Sequence, residues 1–365
     1  MEEILTTVFA ISGITGLLAF LLSLANKTIA DYGEKNLTIN EEKDYVVSGG
    51  DSLLSALNDE NIFIPSACGG KGSCGYCKVK VLSGGGPFLA TERGYVSDEE
   101  QQSGIRLSCQ VRIKKDMHIE IPEELFSVRQ YLCTVTVLED LTDTIKRVGL
   151  SLPEGERISY KPGQYIQILT PEYDGNEEVY RAYSITTPPS SDQAIELFIG
   201  YVPNGICTTY IHQYLKVTDV LTIVGPFGDF YYRDTMKEMI CVAIGTGMAP
   251  IMSILRHMNE NNIQRKITFF FGARTRQDLF MTKTLQSLEE SMYDFTYINC
   301  LSRPTKECQW KGETGRVTDL VKDYVADGEN KEAYLCGSPA MIDSVLPLLK
   351  QKGFSEDAIY FDRFD

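Results

Sequence analysis

Histidine is scarce in this sequence: His118, His212 and His257 are scattered among 365 residues, so no histidine-based metal site or acid–base centre is expected. Basic charge is short as well. The 35 Lys and Arg face 50 Asp and Glu, a net charge of −15, and no basic patch interrupts the balance, which excludes a nucleic-acid footprint. Ten cysteines are too few to staple a secreted scaffold of this length. Long apolar runs are missing beyond residue 26, which excludes a many-spanning membrane protein. With 43% hydrophobic and 23% charged residues the composition is that of a globular protein, and the length suggests two or three domains.

One apolar run is present. Residues 4–26 carry no charge over 23 positions, enough at 1.5 Å per residue to cross about 30 Å of hydrocarbon. The start, Met1-Glu2-Glu3, is acidic where a signal peptide is basic. Lys27 and Lys35 follow the run and no Lys or Arg precedes it. The positive-inside rule therefore predicts a single-pass anchor over 1–27, with the remaining chain on the cytoplasmic side of an inner membrane.

Beyond a polar tether at 28–36, the texture changes three times. Residues 37–126 read as a small α+β unit, with a strand at Lys78-Val79-Lys80-Val81 and an amphipathic helix at 52–58. Residues 130–232 read as strand after strand between Pro and Gly turns, which predicts an antiparallel β-barrel of five to seven strands. Residues 236–365 begin with the apolar run 240–244, then a glycine loop, a helix and a second apolar run at 267–271, the order of a βαβ unit with a parallel sheet.

The cysteines are unevenly placed. Cys68-x5-Cys74-x2-Cys77-x31-Cys109 presents three thiols from one glycine-rich loop and a fourth from a later strand, a set suited to a [2Fe-2S] cluster. Gly69, Gly70, Gly72 and Gly75 let the loop close round the cluster with amides facing its sulfides. Structural zinc is the competitor, although zinc usually takes two Cys-x2-Cys knuckles and Cys109 stands alone. Cys133, Cys207, Cys241, Cys300 and Cys308 read as core or surface thiols.

The loop is similar to that of β-grasp ferredoxins, with five rather than four residues between its first two cysteines. The wider block, residues 83–86 (SGGG), 106–110 (RLSCQ) and 121–126 (IPEELF), resembles the F subunits of the Na+-translocating NADH:quinone reductases. Later motifs resemble ferredoxin-NADP reductases. Arg181-Ala182-Tyr183-Ser184 matches their R-x-Y-S element, which implies Arg181 on a flavin pyrophosphate, Tyr183 beside the isoalloxazine and Ser184 near its N5. Gly205, Cys207 and Thr208 stand where the family's second phosphate loop begins, and Gly225-Pro226-Phe227-Gly228 resembles the turn that closes the barrel.

Gly245-Thr246-Gly247-Met248-Ala249-Pro250 follows a predicted strand and opens a helix, where glycines admit a pyrophosphate to the helix start. No acidic residue is placed for a ribose 2′-hydroxyl. Arg274 and Arg276 suit either a 2′-phosphate or solvent, so spacing leaves NADH against NADPH open, and the resemblance to the F subunits favours NADH. Cys336-Gly337-Ser338-Pro339 resembles the element whose cysteine lies beside nicotinamide, and Phe364, with Phe361 as the alternative, the terminal aromatic that covers the flavin. Cys336, Ser184 and Phe364 are thus the implied catalytic residues.

Nicotinamide yields two electrons at once, a two-iron cluster takes one at a time, and flavin mediates between them. The resemblance implies a membrane-anchored NADH dehydrogenase subunit using FAD and a [2Fe-2S] cluster. Its implied partners are polytopic membrane subunits that pass the electrons on to quinone, in a sodium-translocating complex or a close paralogue. The alternative is the NAD(P)H-dependent reductase component of an oxygenase or desaturase system. The resemblance covers nearly the whole chain, with two departures: a short loop between Ile168 and Arg181, and a nucleotide loop less rich in glycine.

Overall fold

The computed structural model describes residues 12–18, 32–66 and 68–364. The expected anchor over 1–27 and the start of the tether fall largely outside the described residues. Residues 12–18 are helical, and among the described residues no helix is long and apolar enough to cross a membrane. The chain divides into two units, Met1–Val128 and Arg129–Asp365.

In the first unit a five-stranded sheet is built from β1 (Glu34–Ile39), β2 (Lys43–Ser48), β3 (Lys78–Ser83), β4 (Ile105–Leu107) and β5 (Met117–Glu120), in the order β2-β1-β5-β3-β4. Asn40 and Glu41 both take positive φ, as a tight hairpin between β1 and β2 requires. Helix α1 (Leu53–Asp59) starts where the Ser52 hydroxyl accepts from the Ser55 N–H at 3.1 Å. It buries Leu53 and Leu57 against Leu37, Ile39, Leu107, Met117 and Ile119. A short helix α2 (Asp98–Gln102) precedes β4.

The second unit holds two sheets. Strands β6 (Arg129–Asp140), β7 (Ile145–Ser151), β8 (Tyr165–Thr170), β9 (Val179–Ser184), β10 (Ala194–Gly200) and β11 (Val220–Phe227) form an antiparallel sheet in the order β10-β7-β6-β11-β8-β9. The alternation legible in β6 is real: Tyr131, Cys133 and Val135 face the core. A bridge between Ile185 and Leu197 draws the edge strands together at one end, so the sheet is a half-closed barrel of six strands. The short loop between β8 and β9 turns at Asp174-Gly175, both at positive φ.

The second sheet is wholly parallel. It comprises β12 (Glu238–Ile244), β13 (Lys266–Ala273), β14 (Asp294–Leu301), β15 (Glu313–Thr314), β16 (Lys331–Gly337) and β17 (Ile359–Arg363), in the order β15-β14-β13-β12-β16-β17. The chain runs outward from β12 to β15 and then returns to β12's other side as β16. The strand order therefore reverses between β12 and β16, and a crevice opens beyond the carboxyl ends of such a pair. Helix α3 (Ile206–Thr209) lies in the barrel half, while α4 (Met248–Glu260), α5 (Thr282–Ser291), α6 (Val317–Tyr324) and α7 (Pro339–Gln351) connect the parallel strands. Two cores, one containing α4 and the other α6 and α7, cover the parallel sheet.

Candidate functional site

The four thiols come together as two pairs. Cys74 Sγ lies 3.3 Å from Cys68 Sγ, and Cys77 Sγ lies 3.3 Å from Cys109 Sγ. Cys74 donates to Cys68 and Cys77 to Cys109, which pulls each acceptor thiol below its ordinary range and pushes each donor up. Backbone N–H groups of Lys71 and Ser73 reach Cys68, that of Tyr76 reaches Cys74 and that of Gly72 reaches Cys109. Such donors suit thiolates. The Ser108 hydroxyl is buried without a partner of ordinary geometry beside Cys77. Among the described residues no three His, Cys, Asp or Glu converge on a single ion position. Two pairs in place of one tetrahedral group fit two irons better than one zinc.

The loop is shaped by its neighbours. Gly72 and Gly75 both have positive φ, and a Cβ on Gly75 would fall 2.8 Å from the Tyr95 ring, whose hydroxyl donates to the Ser73 carbonyl at 2.8 Å. The segment before Tyr95 is fixed by a buried ion pair. Arg106 Nη2 meets Glu92 Oε2 at 2.7 Å, and the Arg106 guanidinium also donates to the carbonyls of Gly85, Gly86 and Pro87. Burial would raise the Glu92 carboxyl, but hydrogen bonds from Arg106 and from the N–H groups of Leu89 and Leu107 outweigh it and hold the group below its usual range.

In the second unit the pleat puts Arg181 and Tyr183 on one face of β9 and Ser184, its last residue, on the other. Tyr183 Oη donates to Cys207 Sγ at 3.1 Å, and burial raises the phenol well above its usual range. Ser184 is buried. Thr208 Oγ1 closes the turn at Gly205 by donating to the carbonyls of Val202 and Gly205. Tyr173, on the β8–β9 loop, donates to the Ile206 carbonyl at 2.6 Å and so ties that loop to the same turn. Gly225 and Gly228 lie against β8: a Cβ would meet Ile166 at 2.6 Å or the Tyr165 ring at 2.9 Å, so both are packing requirements.

The glycine loop and Cys336 meet at the carboxyl ends of β12 and β16. A Cβ on Gly247 would lie 2.2 Å from the Cys336 carbonyl oxygen, whereas Gly245, at φ +52, faces open space. Gly247 thus serves close packing, and Gly245 is the position where a ligand can approach. Thr246 lies beside Gly200 of β10, and Pro250 is buried in the first turn of α4. That helix is pinned to the segment after Ser184, with Ser253 Oγ donating to the Thr187 carbonyl at 2.6 Å and Arg256 to the Thr186 carbonyl at 3.2 Å. Cys336 is buried, which raises its thiol well above the usual range, and Gly337 accepts from the Phe364 N–H at 2.9 Å.

Phe364 is half-buried beside this element, while Phe361 is exposed on β17. Arg274 follows β13, and its carbonyl accepts from the Arg303 N–H at 2.8 Å, which sets two exposed arginines side by side; Arg276 instead donates to the Cys308 carbonyl.

Four neighbours of these sites escaped the sequence reading. Asp362 pairs in register with Cys336 across β16 and β17, and burial pushes its carboxyl up to about 6. No local pattern marks it. Thr91, Tyr95 and Gln110 surround the thiol loop; only Gln110, adjacent to Cys109, carried a signal.

Residues 37–114 match the family described as 2Fe-2S iron-sulfur cluster binding domain, residues 132–232 the oxidoreductase FAD-binding domain, and residues 229–346 the oxidoreductase NAD-binding domain. A Neisseria meningitidis serogroup B protein, named as the F subunit of Na(+)-translocating NADH-quinone reductase, is 37% identical over 404 aligned positions, covering 99% of each chain. Its counterpart of the same name from Idiomarina loihiensis is 35% identical over 100% of each chain. Among solved structures, the Amycolatopsis cytochrome P450 reductase GcoB superposes with a TM-score of 0.75 at 26% identity, covering 90% of this chain and 98% of that one. The ferredoxin reductase in carbazole 1,9a-dioxygenase superposes at 0.70 with 24% identity, covering 91% and 99%, a likeness of fold.

Proposed function

The chain belongs to the family of F subunits of the Na(+)-translocating NADH-quinone reductases, and from that premise we propose that it is the NADH-oxidising entry point of a membrane quinone reductase. Its three modules carry electrons from NADH through FAD to a [2Fe-2S] cluster. A bound flavin takes two electrons together and releases them singly. On this reading the modules are residues 37–126, 130–232 and 236–365. Cys68 and Cys74 hold one iron, Cys77 and Cys109 the other.

Arg181 neutralises the flavin pyrophosphate and Tyr183, fixed by Cys207, lines its ring, with the turn at Gly205 and Thr208 beside it. The Ser184 hydroxyl is a donor for the flavin edge. Gly245 and Thr246 admit the NADH pyrophosphate, Arg274 lies toward its adenosine end, and Cys336, Gly337 and Phe364 form the nicotinamide wall. Residues 1–27 anchor the chain in the inner membrane, and electrons pass on to polytopic partner subunits and quinone.

The observation that supports this best is one chain holding both a paired four-thiol site and a switch-point crevice whose helix is pinned beside the R-x-Y-S strand. Anaerobic titration with NADH tests it, followed by visible absorbance for flavin and electron paramagnetic resonance for the cluster. Stepwise reduction of both is expected; protein containing zinc and no flavin would end the reading. The likeness to the Amycolatopsis reductase supports the second reading, an oxygenase reductase. Gentle detergent purification separates them: co-purification with polytopic flavin-bearing subunits supports the first, with a soluble iron oxygenase the second.

A further inference from the structure

Around the four thiols, one contact comes from a side-chain amide. Gln110 Nε2 lies 3.5 Å from Cys109 Sγ, and Gln110 Oε1 accepts from Thr91 Oγ1 at 2.9 Å. The two ends of an amide look alike, but a flipped Gln110 would aim its carbonyl oxygen at a thiolate, so Cys109 selects the orientation and the Thr91 hydroxyl, able to donate or accept, anchors the other end of the amide. Gly72 supplies the room, since a Cβ there would fall 2.6 Å from the Gln110 nitrogen.

Thr91 is held in turn. It belongs to the single turn Ala90–Glu92, and Glu92 is locked to Arg106, which stands on β4 three residues before Cys109. Glu92 also accepts from the Leu107 N–H at 3.1 Å. One buried ion pair therefore fixes both the hydroxyl that orients the amide and the strand end that carries the thiol.

We propose that Gln110 is a positioning residue that raises the reduction potential of the two-iron site through its N–H···S bond to Cys109, and that Thr91 holds the amide in that orientation. The proposal rests on reading Cys68, Cys74, Cys77 and Cys109 as the cluster's ligands. Reduction by one electron adds negative charge, part of it on the ligand sulfurs. A donor aimed at Sγ stabilises the reduced form more than the oxidised one. The other donors to these sulfurs are largely backbone N–H groups or short hydroxyls; Gln110 is an amide that substitution can remove.

The test uses the full chain purified with both cofactors, titrated potentiometrically while the reduced cluster is read by electron paramagnetic resonance. In Gln110→Leu the reduced-to-oxidised ratio at a fixed potential is expected to fall about tenfold, a midpoint lower by about 59 mV, with the flavin midpoints unmoved. A purely structural role would change iron content or melting temperature and leave the midpoint alone. An unchanged midpoint at full iron content overturns the proposal. Should Gln110→Leu assemble no cluster, Thr91 decides: Thr91→Val is expected to lower the ratio about threefold and Thr91→Ser, which keeps the hydroxyl, to restore it. Equal midpoints in those two variants overturn the proposal. Failure of the underlying ligand reading looks different, because the unmodified protein would then lack iron and acid-labile sulfide.

Discussion

The thiol loop and the switch-point crevice are held by opposite means. In the first unit the chemistry-bearing residues sit on irregular backbone, and side chains hold it in shape: Arg106 on three carbonyls, Tyr95 on Ser73, Thr91 on Gln110. In the second unit the equivalent residues end regular strands, and backbone ladders place them; side chains matter there mainly where two backbones nearly touch. The first site is therefore vulnerable to changes in residues that never meet a ligand, and the second to added volume.

Among the described residues each region also contains a buried ion pair, which makes the comparison testable. Arg106–Glu92 lies beside the thiol loop, and Arg265–Glu332, at 2.7 Å, ties the entry to β13 to β16 at the end of the sheet away from the crevice. The largest effect expected is at a ligand: Cys109→Ala should abolish the cluster's resonance signal while NADH still bleaches the flavin fully, and a surviving signal would remove Cys109 from the ligand set. Next come the ion pairs. Glu92→Gln and Glu332→Gln each leave a buried arginine uncompensated and should cost roughly 3–5 kcal/mol in denaturant unfolding. Only Glu92→Gln is expected to lower iron content several-fold. Equal iron loss in both would erase the distinction between the two regions.

Glu92 is held below the usual carboxylate range, so its stabilisation is complete above about pH 4.3 and is lost as pH falls through its lower folded value. Chevron or melting curves against pH should show the Glu92→Gln deficit shrinking only in that acid window.

Smaller effects are expected in the crevice. Gly247→Ala forces a methyl into the Cys336 carbonyl and should destabilise by about 1–3 kcal/mol while raising KM for NADH. Gly245→Ala meets no atom and bears only left-handed backbone strain, about 1 kcal/mol. Asp362→Asn acts in the opposite direction. A carboxyl raised to about 6 destabilises the fold once ionised, so the penalty is absent below about pH 3.9 and complete above pH 6. The variant should melt above the parent at pH 8, with the gap closing as pH is lowered through 6. A constant gap would place the charge elsewhere.

Much of this was legible in the sequence because it is local. Cysteine spacing marked the thiol loop, alternation marked β6, and the glycine loop was readable between an apolar run and a helix. The hidden parts depend on register or long-range pairing. Asp362 meets Cys336 only because β17 aligns with β16 at those residues, and Thr91 reaches Gln110 only because Glu92 finds Arg106. The glycines of the nucleotide loop divide the same way: the motif gave Gly245 and Gly247 one role, whereas Gly247 is fixed by close packing and Gly245 is not.

The reversal of strand order between β12 and β16 also has a consequence for synthesis. The ribosome delivers the glycine loop roughly ninety residues before the wall that faces it. A nascent chain that has finished β15 already has the strands of the half-closed barrel but only one side of the switch-point crevice. On the proposed reading, the wall that would admit the hydride donor is thus synthesised after the thiol loop and the barrel that would carry its electrons onward.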